Sequence, residues 1–73
     1  MTNNLYRYII KDMNGKEAIK ILKKNGWKVL RVRGSHHQMG KGDYRTTVPV
    51  HGNRDLGKDL LKEIERQTGV TLS

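Results

Sequence analysis

Glycine interrupts the middle of this chain twice, and those two breaks narrow the possible folds more than any other feature. Trp27 to Arg33 reads as a β-strand, and Gly34-Ser35 after it is a Gly-X pair suited to a type II′ hairpin turn. His36 to Met39 follows as a second strand. Gly40-Lys41-Gly42-Asp43 reads as a four-residue loop, and Tyr44 to Val50 as a third strand, ended by Pro49 and the polar run beyond it. Short strands joined by tight turns predict an antiparallel sheet.

Helical signals flank the sheet. Asn14-Gly15-Lys16-Glu17 resembles a capping box, with Asn14 as the cap and Glu17 at the third helical position. Ala18, Ile19, Ile21 and Leu22 then share one helix face, while Lys16, Lys20, Lys23 and Lys24 share another. Asn25-Gly26 supplies the stop. A second helix is predicted from Lys58 to Thr68, with Leu60, Leu61 and Ile64 on one side, Lys58, Lys62 and Arg66 on another, and Gly69 past its end. The predicted order is helix, three strands, helix: an α+β fold in which a three-stranded antiparallel sheet carries two helices on one face.

The two hairpins can be checked against each other, because directly opposed residues face the same side. The first turn pairs Arg33 with His36, Val32 with His37, Arg31 with Gln38 and Leu30 with Met39. The four-residue loop pairs Met39 with Tyr44, Gln38 with Arg45, His37 with Thr46 and His36 with Thr47. Leu30, Val32, His37, Met39, Tyr44, Thr46 and Val48 are thereby expected to face the helices. Arg31, Arg33, His36, Gln38, Arg45 and Thr47 are expected on the opposite face. Trp27, Lys28 and Val29 break the alternation, which predicts a bulge near Val29.

Composition then bounds the function. A chain of 73 residues makes one small domain, and with no cysteine it has neither disulfides nor a Cys-based zinc site. No apolar run approaches the roughly 20 residues that span a bilayer. The first twelve residues lack a continuous apolar core and a small-residue cleavage site, so no secretory signal is expected. A soluble cytoplasmic domain is the expectation. The net charge is +8, and residues 16–45 hold nine bases against two acids. A basic field confined to one part of a small domain points to a polyanion, most often nucleic acid; the plain alternative is a solubilising surface.

Chemistry follows from where the register puts the histidines. His36 falls among three arginines and Gln38 with no carboxylate beside it, and His37 points the other way, so the two are not expected to share a metal ion. Arginine can hold phosphate oxygens bidentately and offset charge that builds up in a transition state. Imidazole can take a proton from a ribose 2′-hydroxyl or give one to a leaving oxygen. His36 is open to a catalytic role or to none, as an exposed surface residue; on the catalytic reading Arg31, Arg33, Gly34, Ser35, Gln38 and Arg45 are candidate phosphate and RNA contacts. Lys58 and Lys62 near the start of the last helix are candidates for tracking the RNA backbone. His37 is expected to be a hydrogen-bonded core residue. His51, in the loop after Pro49, is open to a second acid/base role or to none. No cofactor and no metal are expected.

Lys16-Glu17 with Ile19 and Leu22, Asn25-Gly26-Trp27, Arg31-Val32-Arg33-Gly34-Ser35-His36-His37, Thr47-Val48-Pro49 with His51, and Asp55-Leu56 together resemble the HicA family of toxins. The resemblance runs from about Met13 to the C-terminus, which divides the chain into an N-terminal extension at 1–12 and a toxin-like domain at 13–73. Its most specific element is Gly-Ser-His-His after a Gly-Trp strand. The resemblance implies a double-stranded-RNA-binding-like αβββα fold, an endoribonuclease that cleaves mRNA and halts translation, and a HicB-type antitoxin as partner. It also implies that His36, the first histidine after Gly-Ser, is the catalytic one. The segment between the second and third strands is shorter and richer in glycine than in many relatives. A non-catalytic RNA-binding module of the same fold type is the alternative. DNA binding is a weaker one, because no helix combines base-reading residues with a helix-turn-helix geometry.

Overall fold

The computed structural model describes residues 11–72. Helix α1 spans Gly15–Lys24, strands β1, β2 and β3 span Lys28–Arg33, His36–Lys41 and Tyr44–Pro49, and helix α2 spans Lys58–Thr68. The sheet is antiparallel with order β1-β2-β3. Both helices pack on β3, and the core between the layers gathers Ala18, Ile19, Leu22, Trp27, Met39, Val48, Leu61 and Ile64. The αβββα order and the boundaries of α2 are as the sequence predicts. Of the expected extension at 1–12, only Lys11 and Asp12 are described; the remainder lies outside the described residues.

Local chemistry explains each boundary. Asn14 caps α1: its Oδ1 accepts the Glu17 N–H at 2.9 Å, and Glu17 Oε1 accepts the Asn14 N–H at 2.9 Å. Two donors that the helix leaves unpaired are thereby satisfied. Gly15 opens the helix in close contact with the end of β3, where an added Cβ would stand 2.3 Å from Pro49 O. Only glycine allows this approach. At the far end, Trp27 N–H returns to Leu22 O at 3.0 Å, and Lys41 Nζ donates to Asn25 O at 2.9 Å, tying β2 to the close of α1.

The N-terminus of α2 is stitched to the start of the described chain. Asp12 Oδ1 accepts the N–H of Gly57 at 3.0 Å, and Leu56 N–H donates to Met13 O at 2.8 Å. A carboxylate is well placed there, against the positive end of the helix dipole. At the other end Leu72 is buried, and its N–H donates to Glu65 Oε2 at 2.7 Å.

The sheet departs from expectation at two places. The second hairpin is closed by Gly42-Asp43 alone, so Lys41 pairs with Tyr44, Met39 with Thr46, Gln38 with Thr47, His37 with Val48 and His36 with Pro49. Both turns take φ near +57° at their glycine, 57 at Gly34 and 58 at Gly42, while no non-glycine among the described residues has positive φ. That is the type II′ pattern, and a second Gly-X pair supports the tighter turn and extends the ladder. Because the slip from the expected loop is two residues, every side chain keeps its face.

The bulge near Val29 is as the sequence predicts; the second departure is what it does to Leu30. The register shifts between Val29 and Arg31, so Val29 rather than Leu30 opposes Met39. Leu30 leaves the helix-facing side for the outer surface, where it is 53% exposed and its Cδ1 occupies the space that a Gly40 Cβ would need. Val32 and Tyr44 remain on the helix-facing side by register, yet they are exposed, since the helices cover β3 and leave the β1 edge and the β2–β3 turn open.

Candidate nucleic-acid interface and active site

Strand pairing builds the outer face row by row. Arg33, His36 and Pro49 form the row next to the first turn, Arg31, Gln38 and Thr47 the next, and Lys28, Gly40 and Arg45 the third. Arg31, Arg33, His36, Gln38, Arg45 and Thr47 are all exposed, and no strand residue is acidic. The face thus offers cations and one imidazole without a carboxylate to neutralise them, which suits an anionic polymer.

Within it, the environment of His36 differs from the expected one. Its cross-strand neighbours are Arg33 and Pro49, and Arg31 and Gln38 stand one row away. Arg45 stands two rows away, at the Gly40 position, which at about 3.4 Å per residue is roughly 14 Å along the strand. Its guanidinium Nη1 donates to Gly42 O and Tyr44 O, both at 2.8 Å, which draws it toward the β2–β3 turn. The arginines nearest His36 along the ladder are therefore Arg33 and Arg31, and Arg45 lies further along the same face.

His37 occupies the other face, half-buried opposite Val32 and Val48, with its Nδ1 3.3 Å from Ser35 O. Ser35 O also accepts the Val50 N–H at 2.7 Å. This carbonyl shares a rigid peptide plane with the His36 N–H, so both contacts fix the backbone from which His36 departs. Sequence alone offered no sign that Val50 reaches back to the first turn. The two histidines diverge, as strand alternation requires.

Lys58 and Lys62 are exposed on α2, in the helix layer behind the sheet, and do not join the His36 face. The N–H of Gly57, just before α2, donates to the Asp12 carboxylate, which places an anion beside that helix end. A groove of about 290 Å³ runs between β3 and α2 and is lined by Arg45, Thr46, Thr47, Leu60, Glu63 and Gln67. It does not include His36. Its floor is a hydrogen-bonded chain in which Thr46 Oγ1 donates to Gln67 Oε1 at 2.7 Å and Gln67 Nε2 donates to Glu63 Oε2 at 3.0 Å. Glu63 also pairs with Arg66, whose hydrogen bond holds the Glu63 carboxyl below its usual range and raises the Arg66 guanidinium in turn.

Among the described residues no helix is long and apolar enough to cross a membrane. Neither the curated proteins nor the solved structures yield a match to this chain. The sequence model of the HicA toxin of bacterial toxin–antitoxin systems does match, over residues 15–70. That span begins at the glycine packed on β3, takes in the whole sheet with its histidine and arginine face, and ends just past α2; with most of its length and its full αβββα fold so accounted for, the chain belongs to the HicA toxin family.

Proposed function

We propose that this toxin is a metal-independent endoribonuclease that cleaves mRNA and so inhibits translation, and that a HicB-type antitoxin neutralises it. The observation that carries the reading is the position of His36: an exposed imidazole with Arg33 across the strand pair and Arg31 one row away, on a face without acidic strand residues. Arg31 and Arg33 hold the scissile phosphate and offset its developing charge, while the Gly34-Ser35 turn offers backbone N–H groups and a hydroxyl beside it. His36 exchanges a proton with the reacting ribose or leaving oxygen. Gln38 and Arg45, further along the face, contact flanking nucleotides. Lys58 and Lys62 add to the general cationic field from the helix layer.

The same face defines the inhibitor. A partner that presents Asp or Glu to Arg31 and Arg33 covers His36 and excludes RNA, and opposite charge speeds the encounter and favours the right partner.

The test is cleavage of a labelled mRNA by wild type and by His36→Ala, with a chelator present, alongside growth of cells expressing each. Wild type is expected to cut the RNA and arrest growth, and His36→Ala to do neither while unfolding at the same temperature. RNA binding without cleavage by the wild type would leave the non-catalytic module as the better description.

A further inference from the structure

Strand β3 ends at Pro49, directly across from His36. Opposed residues of an antiparallel pair lie about 4.5–5.5 Å apart at Cα and project to the same side. The chain leaving β3 does not swing away, because Val50 N–H is bonded to Ser35 O at 2.7 Å, on the turn that precedes His36. Val50 packs against the core, and His51, the next residue, is exposed, the in-out order that strand alternation gives when Pro49 lies on the His36 side. His51 is then anchored from beyond: Arg54 N–H donates to His51 O at 3.0 Å, closing a turn with Gly52 at φ 58. His51 lies two residues beyond Pro49, a reach of at most about 7 Å. Two exposed imidazoles thus belong to chain segments joined at the first turn, His36 directly after it and His51 next to the residue bonded to it.

We propose that His51 is a second catalytic residue, the general acid to the general base His36; the proposal rests on the ribonuclease reading above. His36 accepts the proton of the ribose 2′-hydroxyl as that oxygen forms its bond to phosphorus. The P–O5′ bond breaks, and His51, as imidazolium, delivers its proton to the departing O5′. The products are a 2′,3′-cyclic phosphate and a 5′-hydroxyl, with no water, metal or redox partner consumed. Proton count and charge balance across the two imidazoles, one of which ends charged and the other neutral. Charged residues close in the chain or the ladder are Arg33, across from His36, Arg54, which closes the turn begun at His51, and Asp55, which follows that turn and bridges to Asn14.

The experiment compares single-turnover cleavage of two RNAs with one scissile site each. One carries the natural O5′, and the other a 5′-bridging sulfur, which leaves as thiolate without needing a proton. His51→Ala is expected to cut the natural RNA about 100-fold or more slowly than wild type, the usual scale for lost general-acid catalysis, and to cut the sulfur RNA within a few-fold of wild type. His36→Ala should be slow on both. His51→Asn, with circular dichroism of each variant, guards against a loss caused by misfolding and should repeat the His51→Ala pattern. Full activity of both His51 variants on the natural RNA would overturn the assignment, as would an equal loss on both RNAs. A wild type that cut neither RNA would overturn the ribonuclease reading itself.

Discussion

His36 and His37 are neighbours in sequence with the same side chain, and the pleat of one strand gives them different work. His36 is exposed beside Arg33; His37 is half-buried beside Val32 and Val48, within reach of Ser35 O. A lost hydrogen bond together with lost packing at a half-buried site costs about 1–2 kcal/mol. His37→Ala is therefore expected to lower the urea midpoint while leaving cleavage by the folded fraction close to wild type. His37→Asn places an amide N–H near the Nδ1 position and should recover most of that stability. Denaturation curves and activity normalised to folded protein check both expectations. The reverse pattern, with His37→Ala stable and inactive, would mean that the register places chemistry on the wrong face.

Among the elements, α1 depends most on its local sequence. Ala18, Ile19 and Leu22 bury one face, the lysines stay in water, and the reciprocal Asn14–Glu17 bonds close its first turn. Replacing an Asn cap by Ala typically costs about 1 kcal/mol. Asn14→Ala should destabilise the domain by about that amount, read as a shift in the denaturation midpoint at unchanged slope, with RNA affinity of the folded protein unchanged because the Asn14 side chain is engaged within the first turn of α1. The sheet is pinned differently. Its two glycine-led turns fix the register of both hairpins, and the bulge at Leu30 is the one irregularity in the ladder. Helix α2 is held to β3 by Leu61 and Ile64 in the core and by the Thr46–Gln67–Glu63 chain along the groove.

For the molecule as a whole, the two layers divide the labour: helices and the inner sheet face supply stability, and the outer face supplies charge. Contacts between Arg31, Arg33 and Arg45 and RNA phosphates would release counterions, at about 0.7 per phosphate on single strands. Three such contacts predict a slope of log K against log salt of roughly −2, and Arg31→Ala should reduce it by roughly 0.7. Binding titrations of a catalytically silenced His36→Ala toxin at several salt concentrations measure both values. A flat salt dependence would mean that the outer face does not carry the RNA.

Element order, both helix stops, the Asn14 cap and the two-faced sheet were legible in the sequence, because each rests on contacts within a few residues: capping pairs, positive-φ glycines and the period of two or 3.6. The segregation of Arg31, Arg33 and His36 from His37 was legible for the same reason, since a slip of two residues in the second hairpin leaves parity unchanged. Tertiary structure alone decided the rest. Leu30, turned outward by the bulge, covers Gly40 from the neighbouring strand, a contact that no local pattern announces. The distance of Arg45 from His36 followed from the longer β2–β3 ladder. The approach of the His51 segment to the first turn rests on one bond between Val50 and Ser35, fifteen residues apart, and the closure of α2 by Asp12 on one spanning 45. No local pattern encodes such contacts; they form because packing of distant segments leaves backbone donors that must find an acceptor away from their own neighbours in sequence.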